Sequence, residues 1–325
     1  MFRRKFCGSL FATGVMARLA QAQQPIQPAG AAVLERPASG RPHNGKVLLA
    51  IQAHADDIPL FAAGTVAKLI EEGYTGYLVR ATNDDMGDAT GLGTPGSIGE
   101  NALGNERDNG EVARILGCKG HFDLNYSNHR MADVSLNEVI GRLIFIIRVI
   151  KADTVVCWDP WAHDEENPDH YMIARATEAA CWMAGRAHDY EEQFAAGLQP
   201  KTVQDKYYFA RRPEVTRVVD ISKQIDKKVE ANRANTAKGP AGRLGSRLRA
   251  ELARRNQRLP VLGDDDITAD RNYIKEFGMA RSRELGKQYG VEYAEAFHYV
   301  APGASGADRD PKVDAYVKEH AVPSK

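Results

Sequence analysis

The four residues His54-Ala55-Asp56-Asp57 place an imidazole and two carboxylates at the end of an apolar run, Val47-Leu48-Leu49-Ala50-Ile51. A short, continuous apolar run bounded by polar turn residues reads as a strand buried on both faces, and Pro59 to Glu72 after it reads as a helix. The cluster therefore falls at a strand-to-helix turn, and in open α/β sheets ligands bind at the carboxyl ends of the strands. His54 and Asp57, three apart across a tight turn, are spaced to converge on one cation, with Asp56 beside the ion and not bound to it. A catalytic zinc takes three nitrogen or oxygen ligands and keeps one position for water, so a third ligand is required. The competing reading is plainer: Asp56 or Asp57 caps the following helix and His54 is a half-buried polar group with its hydrogen bonds satisfied.

A second cluster, Asp159-Pro160 and then His163-Asp164-Glu165-Glu166-Asn167-Pro168-Asp169-His170, follows another apolar strand, Thr154 to Trp158. Pro168 suits the first turn of a helix running through Tyr171 to Met183, which projects Asp169 and His170 from the helix N-terminus beside the same sheet edge. His170 is the third ligand on this reading.

With these residues in view the chain resembles the LmbE/PIG-L family of zinc-dependent N-deacetylases, which carry His-x-Asp-Asp after the first strand and His-x-Asp-His after a later one on a Rossmann-like fold. The resemblance extends through Arg107 and Glu111, in a helix of the family's Arg-x-x-x-Glu type from Asn105 to Gly117, to the closing Tyr293-Ala294-Glu295-Ala296-Phe297. It implies zinc held by His54, Asp57 and His170, with Asp56 as general base and Arg107 hydrogen bonding sugar hydroxyls. Asn128 stands near the position of the family's substrate-binding Asp. Two departures stand out: Ile58 replaces a Glu after the paired Asp, and Asn167 replaces the first His of the second motif. That His is associated with stabilising the tetrahedral intermediate, and loss of one oxyanion donor costs on the order of 100- to 1,000-fold in rate. The Asn167 amide retains a donor, and His163 is a nearby substitute. Asp169 is read as orienting its neighbours. For Arg107 the alternative is a surface ion pair with Glu111 one turn on.

The elements that must position these groups follow from the rest of the chain. Met1 to Ala22 has a basic start, Arg3-Arg4-Lys5, a modestly apolar stretch and Ala20-Gln21-Ala22, the pattern of an export signal, with Arg3-Arg4-Lys5-Phe6 resembling a twin-arginine type. Gln23 to Asn44, rich in Pro, Ala and Gly, reads as a linker. Residues 45–301 then read as one α/β unit, and 302–325 as a polar tail. The 43 basic and 43 acidic residues cancel, which gives no argument for a nucleic-acid partner. After signal removal no segment is apolar and long enough to span a bilayer. Cys118, Cys157 and Cys181 lack Cys-x-x-Cys spacing and read as core thiols without a disulfide.

Strand signals at Tyr74 to Thr82, His121 to Tyr126, Lys206 to Ala210 and Arg217 to Ile221 alternate with helical ones, and Tyr293 to Val300 closes the chain. The rhythm predicts a Rossmann-like α/β fold, a mainly parallel sheet with helices on both faces. In the helix from Val134 to Lys151, Ile140, Leu143, Ile144, Ile147 and Ile150 form a core stripe. Asn83 to Gly104, dense in Gly and containing Asp84, Asp85 and Asp88, reads as a loop covering the substrate or as a surface insertion. Ser222 is read as the cap of a helix through Asn235. Arg243 to Arg258 reads as a basic helix packed through Leu244, Leu248 and Leu252, and Asp270 to Tyr289 as a further helix. The expected activity is zinc-assisted hydrolysis of an N-acetyl group on an N-acetylglucosamine-type sugar or glycan. Two alternatives stay open, a zinc amidase for another N-acyl substrate and a metal-retaining sugar-binding module without turnover; the oligomeric state is also open.

Overall fold

Two apolar strands lie at the centre of the edge on which the site is built. β-Branched and aliphatic residues fill Val47–Gln52 and Thr154–Trp158, and Leu48, Leu49, Ala50, Ile51, Val155 and Val156 lose all contact with solvent. Such continuous burial is what a strand covered by helices on both faces demands. The computed structural model describes residues 27–86, 97–161, 165–210, 214–238, 242–302 and 311–323. The expected export signal, Asp88, His163 and Asp164 lie outside these residues.

The strands are β1 (Gln27–Glu35), β2 (Val47–Gln52), β3 (Thr75–Thr82), β4 (Gly120–Tyr126), β5 (Thr154–Trp158), β6 (Asp205–Phe209), β7 (Glu214–Asp220) and β8 (Ala294–Val300). They form one sheet in the order β1-β7-β8-β6-β5-β2-β3-β4. Between and after them come helices α1 (Asp57–Phe61), α2 (Ala63–Glu71), α3 (Ile98–Leu116), α4 (Leu136–Ile150), α5 (Pro168–Met183), α6 (Glu191–Ala195), α7 (Ile225–Ala234), α8 (Leu244–Arg254), α9 (Asp266–Tyr273), α10 (Ala280–Gln288) and α11 (Pro311–His320). The expected α/β architecture is present, and β8 alone among these strands runs antiparallel to its neighbours, β6 and β7. Because β4, β3, β2, β5 and β6 are mutually parallel, the carboxyl ends of β2, β3, β4 and β5 come out at one edge. The α4 stripe packs as its periodicity predicts: Ile140, Leu143, Ile144 and Ile147 are buried. Each such side chain contributes about 1.5–3 kcal/mol on burial.

Several boundaries differ from expectation for identifiable reasons. The segment read as a linker supplies β1, which pairs in parallel with β7 at the sheet edge. Pro28 is tolerated there because an edge strand has one side without ladder hydrogen bonds. What holds β1 is distant in sequence: the Glu35 carboxylate accepts from Lys68 Nζ at 2.9 Å, Tyr207 Oη at 2.9 Å and Arg217 at 2.8 Å. The helix after β2 is two helices, broken at Ala62 with φ −140° and ψ 5°. Here Glu295 of β8 accepts the N–H groups of Gly64 and Thr65 at 3.0 and 2.8 Å and pairs with buried Lys228 at 2.6 Å, capping α2 from across the sheet. The Gly-rich loop ends before Gly104, since Ser97 and Glu100 form a reciprocal capping box that starts α3. Ser222 does not cap α7; its hydroxyl bonds Asp220 Oδ1 at 2.6 Å. The helix expected from Asp270 to Tyr289 is interrupted by a π turn, Ile274–Gly278.

Basic α8 packs as read, with Leu244, Leu248 and Leu252 half-buried. A Cβ at Gly245 would stand 2.0 Å from the Ala269 carbonyl, so only glycine permits this approach to α9. Cys118, Cys157 and Cys181 are free thiols, the last two buried, as expected. The region read as a polar tail contains α11, exposed along the part whose side chains are described. Among the described residues no helix is long and apolar enough to cross a membrane.

Candidate metal centre

At the carboxyl edge of the sheet three side chains from two distant motifs meet. His54 Nδ1 lies 2.9 Å from His170 Nε2 and 3.8 Å from Asp57 Oδ1, and His170 Nε2 lies 3.4 Å from that same oxygen. Ligands about 2.0–2.1 Å from a tetrahedral zinc stand roughly 3.3 Å apart, so these separations fit an ion held by all three. Among the described residues this is the group of His, Cys, Asp and Glu side chains arranged to hold a metal.

Each member is fixed by bonds on its far side. Asp57 turns Oδ2 to the backbone N–H groups of Ala53 and His54, at 2.8 and 2.9 Å, which leaves Oδ1 for the centre. His54 Nε2 faces Asp169 Oδ2 at 3.0 Å and Asn128 Oδ1 at 3.1 Å, an arrangement that selects the tautomer with Nδ1 free to bind a cation. His170 is held the same way, with Nδ1 on Glu165 Oε1 at 3.1 Å, and its ring stacks on buried Trp158 with centroids 3.9 Å apart. Both imidazoles thus place a carboxylate behind the nitrogen that does not point inward. Asp169 is itself tied down, accepting the N–H groups of His129 at 2.7 Å and Met131 at 3.2 Å.

Charge follows from this crowding. Burial pushes the Asp57 carboxyl up, but His170 and His54 outweigh it and hold the group well below the usual carboxylate range. Burial and Lys238 lower the His54 pKa, while Asp169, Asp57 and Asp84 raise it further, to about 10. The surrounding carboxylates favour a positive charge at this point, and a metal bound there would displace the proton that otherwise supplies it. Asp56 is pushed up to about 6, by burial first and then by Asp57 and Asp84, against Lys238 and His54. Its side chain makes no helix-capping hydrogen bond, so the plainer reading of the Asp-Asp pair does not hold.

The remaining expected residues are placed differently. Asn167 is the N-cap of α5, its side-chain oxygen accepting the Asp169 N–H at 3.0 Å, with Pro168 at the first helical position. Asn128, read as substrate-binding, is fully buried behind His54 and serves to hold that ring. Arg107 is 73% exposed, with its ion pair to Asp108 at 3.6 Å, while Glu111 pairs with Arg114 at 2.6 Å; the one-turn Arg107–Glu111 pair is not formed. Ile58 is buried in the core.

Sequence reasoning missed several supports. Glu165 is one of five acidic residues from Asp159 to Asp169, and nothing in the sequence singles it out from the other four as the partner of His170 Nδ1. The buried stripe Asn105, Asp108 and Asn109 on α3 ties the strand ends together: Asn109 accepts from Gln52 at 2.9 Å and donates to Asp123 at 3.1 Å. Asp85 accepts Ser127 Oγ and the Asn128 N–H, both at 2.9 Å, locking the β3 loop to the β4 loop. Lys238 reaches the centre from a part of the chain without a motif. His129, at φ +62°, presents an exposed ring 6.5 Å from that of His54. If Asp169 acts through His54, Asp169→Asn weakens metal binding by about 10- to 100-fold. Competition against a graded chelator measures it, and an unchanged affinity removes Asp169 from this role.

A His-Asp-His group with carboxylate-backed imidazoles, at the carboxyl edge of a mainly parallel sheet, defines an α/β protein with a site that could hold a metal ion. The chain belongs to the PIG-L family: the family model described as GlcNAc-PI de-N-acetylase matches residues 49–181, which contain all three ligand candidates. Diacetylchitobiose deacetylase of Thermococcus kodakarensis is 27% identical over 196 residues, 60% of this chain and 71% of that protein. An uncharacterized deacetylase of Escherichia coli, YaiS, is 30% identical over 149 residues, 45% of this chain and 74% of its own length. The solved N,N'-diacetylchitobiose deacetylase from Pyrococcus horikoshii shares the fold, with a TM-score of 0.63 at 23% identity, covering 83% of this chain and 88% of that one.

Proposed function

We propose that this protein is a zinc-dependent N-deacetylase that removes an acetyl group from an N-acetylglucosamine-type sugar or its conjugate. The observation that carries the proposal is the convergence of His54 Nδ1, Asp57 Oδ1 and His170 Nε2. The names of the relatives support the choice of amide and sugar. Zinc bound by these atoms would lower the pKa of water from 15.7 toward about 7 and polarise the acyl oxygen.

The chain's own groups do the rest. Asp56, half-buried and not engaged as a helix cap, is the general base that takes the attacking water's proton. The same carboxyl then returns a proton to the departing amine nitrogen as the C–N bond breaks, giving acetate and the free amino sugar. Asp169 and Glu165 keep both imidazoles in the tautomer that binds a cation. The side-chain oxygen of Asn167 is committed to the helix cap, which leaves its amide N–H groups as the donors to the acyl oxygen at that position. The Arg3-Arg4-Lys5 start supports an exported enzyme acting on an envelope or environmental glycan.

Acetate release is measured across a panel of N-acetylated amino sugars with protein as purified, after chelation, and after zinc is restored. Release is expected to vanish on chelation and return with zinc. Tight zinc and sugar binding without release would instead favour a binding module, the reading motivated by Ile58 and Asn167 standing where the family has Glu and His.

A further inference from the structure

We propose that Lys238 is a positioning residue of this centre, acting through Asp84 on the turn that carries Asp56. Its effect on turnover rests on the deacetylase reading; its effect on the turn does not.

Asp84 follows β3 and is fully buried, with φ +56°, a conformation that a non-glycine residue adopts only where its surroundings hold it. One of its oxygens, Oδ2, accepts the N–H of Ala55 at 2.9 Å, in the middle of the His54 to Asp57 turn. The other, Oδ1, accepts from Lys238 Nζ at 2.6 Å. Arg80 stands further off, 3.9 Å from Oδ2, and is engaged with Asp123 at 2.7 Å, so the close counter-ion of Asp84 is Lys238. A buried carboxylate that loses its paired cation is strongly destabilised where it sits.

Lys238 is delivered to this position by a built anchor. Asp108 of α3, itself 4% exposed, accepts three hydrogen bonds on Oδ2, from the N–H and Oγ1 of Thr236 at 2.6 and 2.9 Å and from the N–H of Ala237 at 2.7 Å. The ammonium side chain is 14% exposed. It belongs to a part of the chain beyond the residues matched by the family model, 49–181.

The metal ligands do not depend on this relay. Asp57 is held by Ala53 and His54, His54 by Asp169 and Asn128, and His170 by Glu165. Only the peptide between His54 and Asp56 is held by Asp84. Removing the Lys238 charge also leaves Asp56, Asp57, Asp84, Asp169 and Glu165 around the two imidazoles with one cation fewer, which favours a divalent ion. Loosening of the turn and retention of metal therefore go together, whereas general damage to the site would loosen the turn and lose the metal as well.

The test compares the full chain with Lys238→Met and Lys238→Arg, each loaded with zinc. In Lys238→Met, exchange of the Ala55 amide is expected to quicken about 10-fold or more as the turn opens locally. Zinc affinity by chelator competition is expected to be equal to or tighter than that of the parent. On any substrate the parent deacetylates, kcat falls by on the order of 10- to 100-fold while KM stays nearly constant, since the loss is one of orientation. Lys238→Arg restores slow exchange and most of kcat. Unchanged Ala55 exchange, or weakened zinc binding in Lys238→Met, overturns the assignment, as does parental kcat in that variant. A parent that releases acetate from nothing would count against the deacetylase reading alone, and amide exchange would still decide the role of Lys238.

Discussion

Replacement of Asp56 by Asn lowers acetate release by roughly 100- to 10,000-fold, the range for removing a positioned general base, and leaves zinc content at the parental level. The expectation follows from where Asp56 sits. Asn has nearly the same shape and no basic oxygen, so the substitution removes proton transfer and little else. The ligands keep their own anchors: Ala53 and His54 N–H groups on Asp57, Asp169 behind His54 and Glu165 behind His170. Metal analysis together with steady-state rates checks both halves of the statement. Parental activity in Asp56→Asn would take Asp56 out of the base role, and concurrent loss of zinc would make it a structural support of the centre.

His170→Ala has the opposite signature, loss of zinc itself and, with it, of all measurable turnover. One of three converging donors disappears, and so does the ring stacked on Trp158 at 3.9 Å, so His54 and Asp57 are left without the third donor that α5 supplies. The drop in affinity exceeds the roughly 10- to 100-fold attached to losing an outer partner such as Asp169. Thermal unfolding with and without zinc gives a readout independent of catalysis. Binding at about 1,000 times Kd stabilises a folded protein by about 4.1 kcal/mol, so the parent's midpoint rises with zinc and that of His170→Ala does not. A variant that still gains stability from stoichiometric zinc would show that the ion is held elsewhere.

How much of this centre could be read before the fold was known depends on whether a residue acts through short-range spacing. His54 and Asp57 share one turn, and Asp169 and His170 open one helix, so local geometry alone aims each pair. Pro168 marks that helix start by chemistry that any N-terminus imposes. The α4 stripe was legible for the same reason, because helical periodicity is a property of neighbours in sequence. The contact that Asn128 makes is not legible in the sequence, because an amide behind His54 and an amide facing a substrate look identical there; the fold brings its Oδ1 to 3.1 Å from His54 Nε2. The segment carrying β1 has a linker's composition, and its place as an edge strand is settled by Lys68, Tyr207 and Arg217, residues remote from Glu35 along the chain.

By itself, the order of residues determined the alternating α/β plan, the two motifs at strand ends and the identity of three candidate ligands, because each depends on hydrophobic periodicity or on spacing within one turn. Tertiary structure decided that β2 and β5 lie side by side, bringing His54 to His170 across 116 positions. It also decided that Asp84, Asp108 and Lys238 form one relay. Those outcomes rest on parallel strand pairing and on hydrogen bonds between groups far apart in the chain. Such contacts form only when the burial of the sheet offsets the entropy of closing the intervening loops.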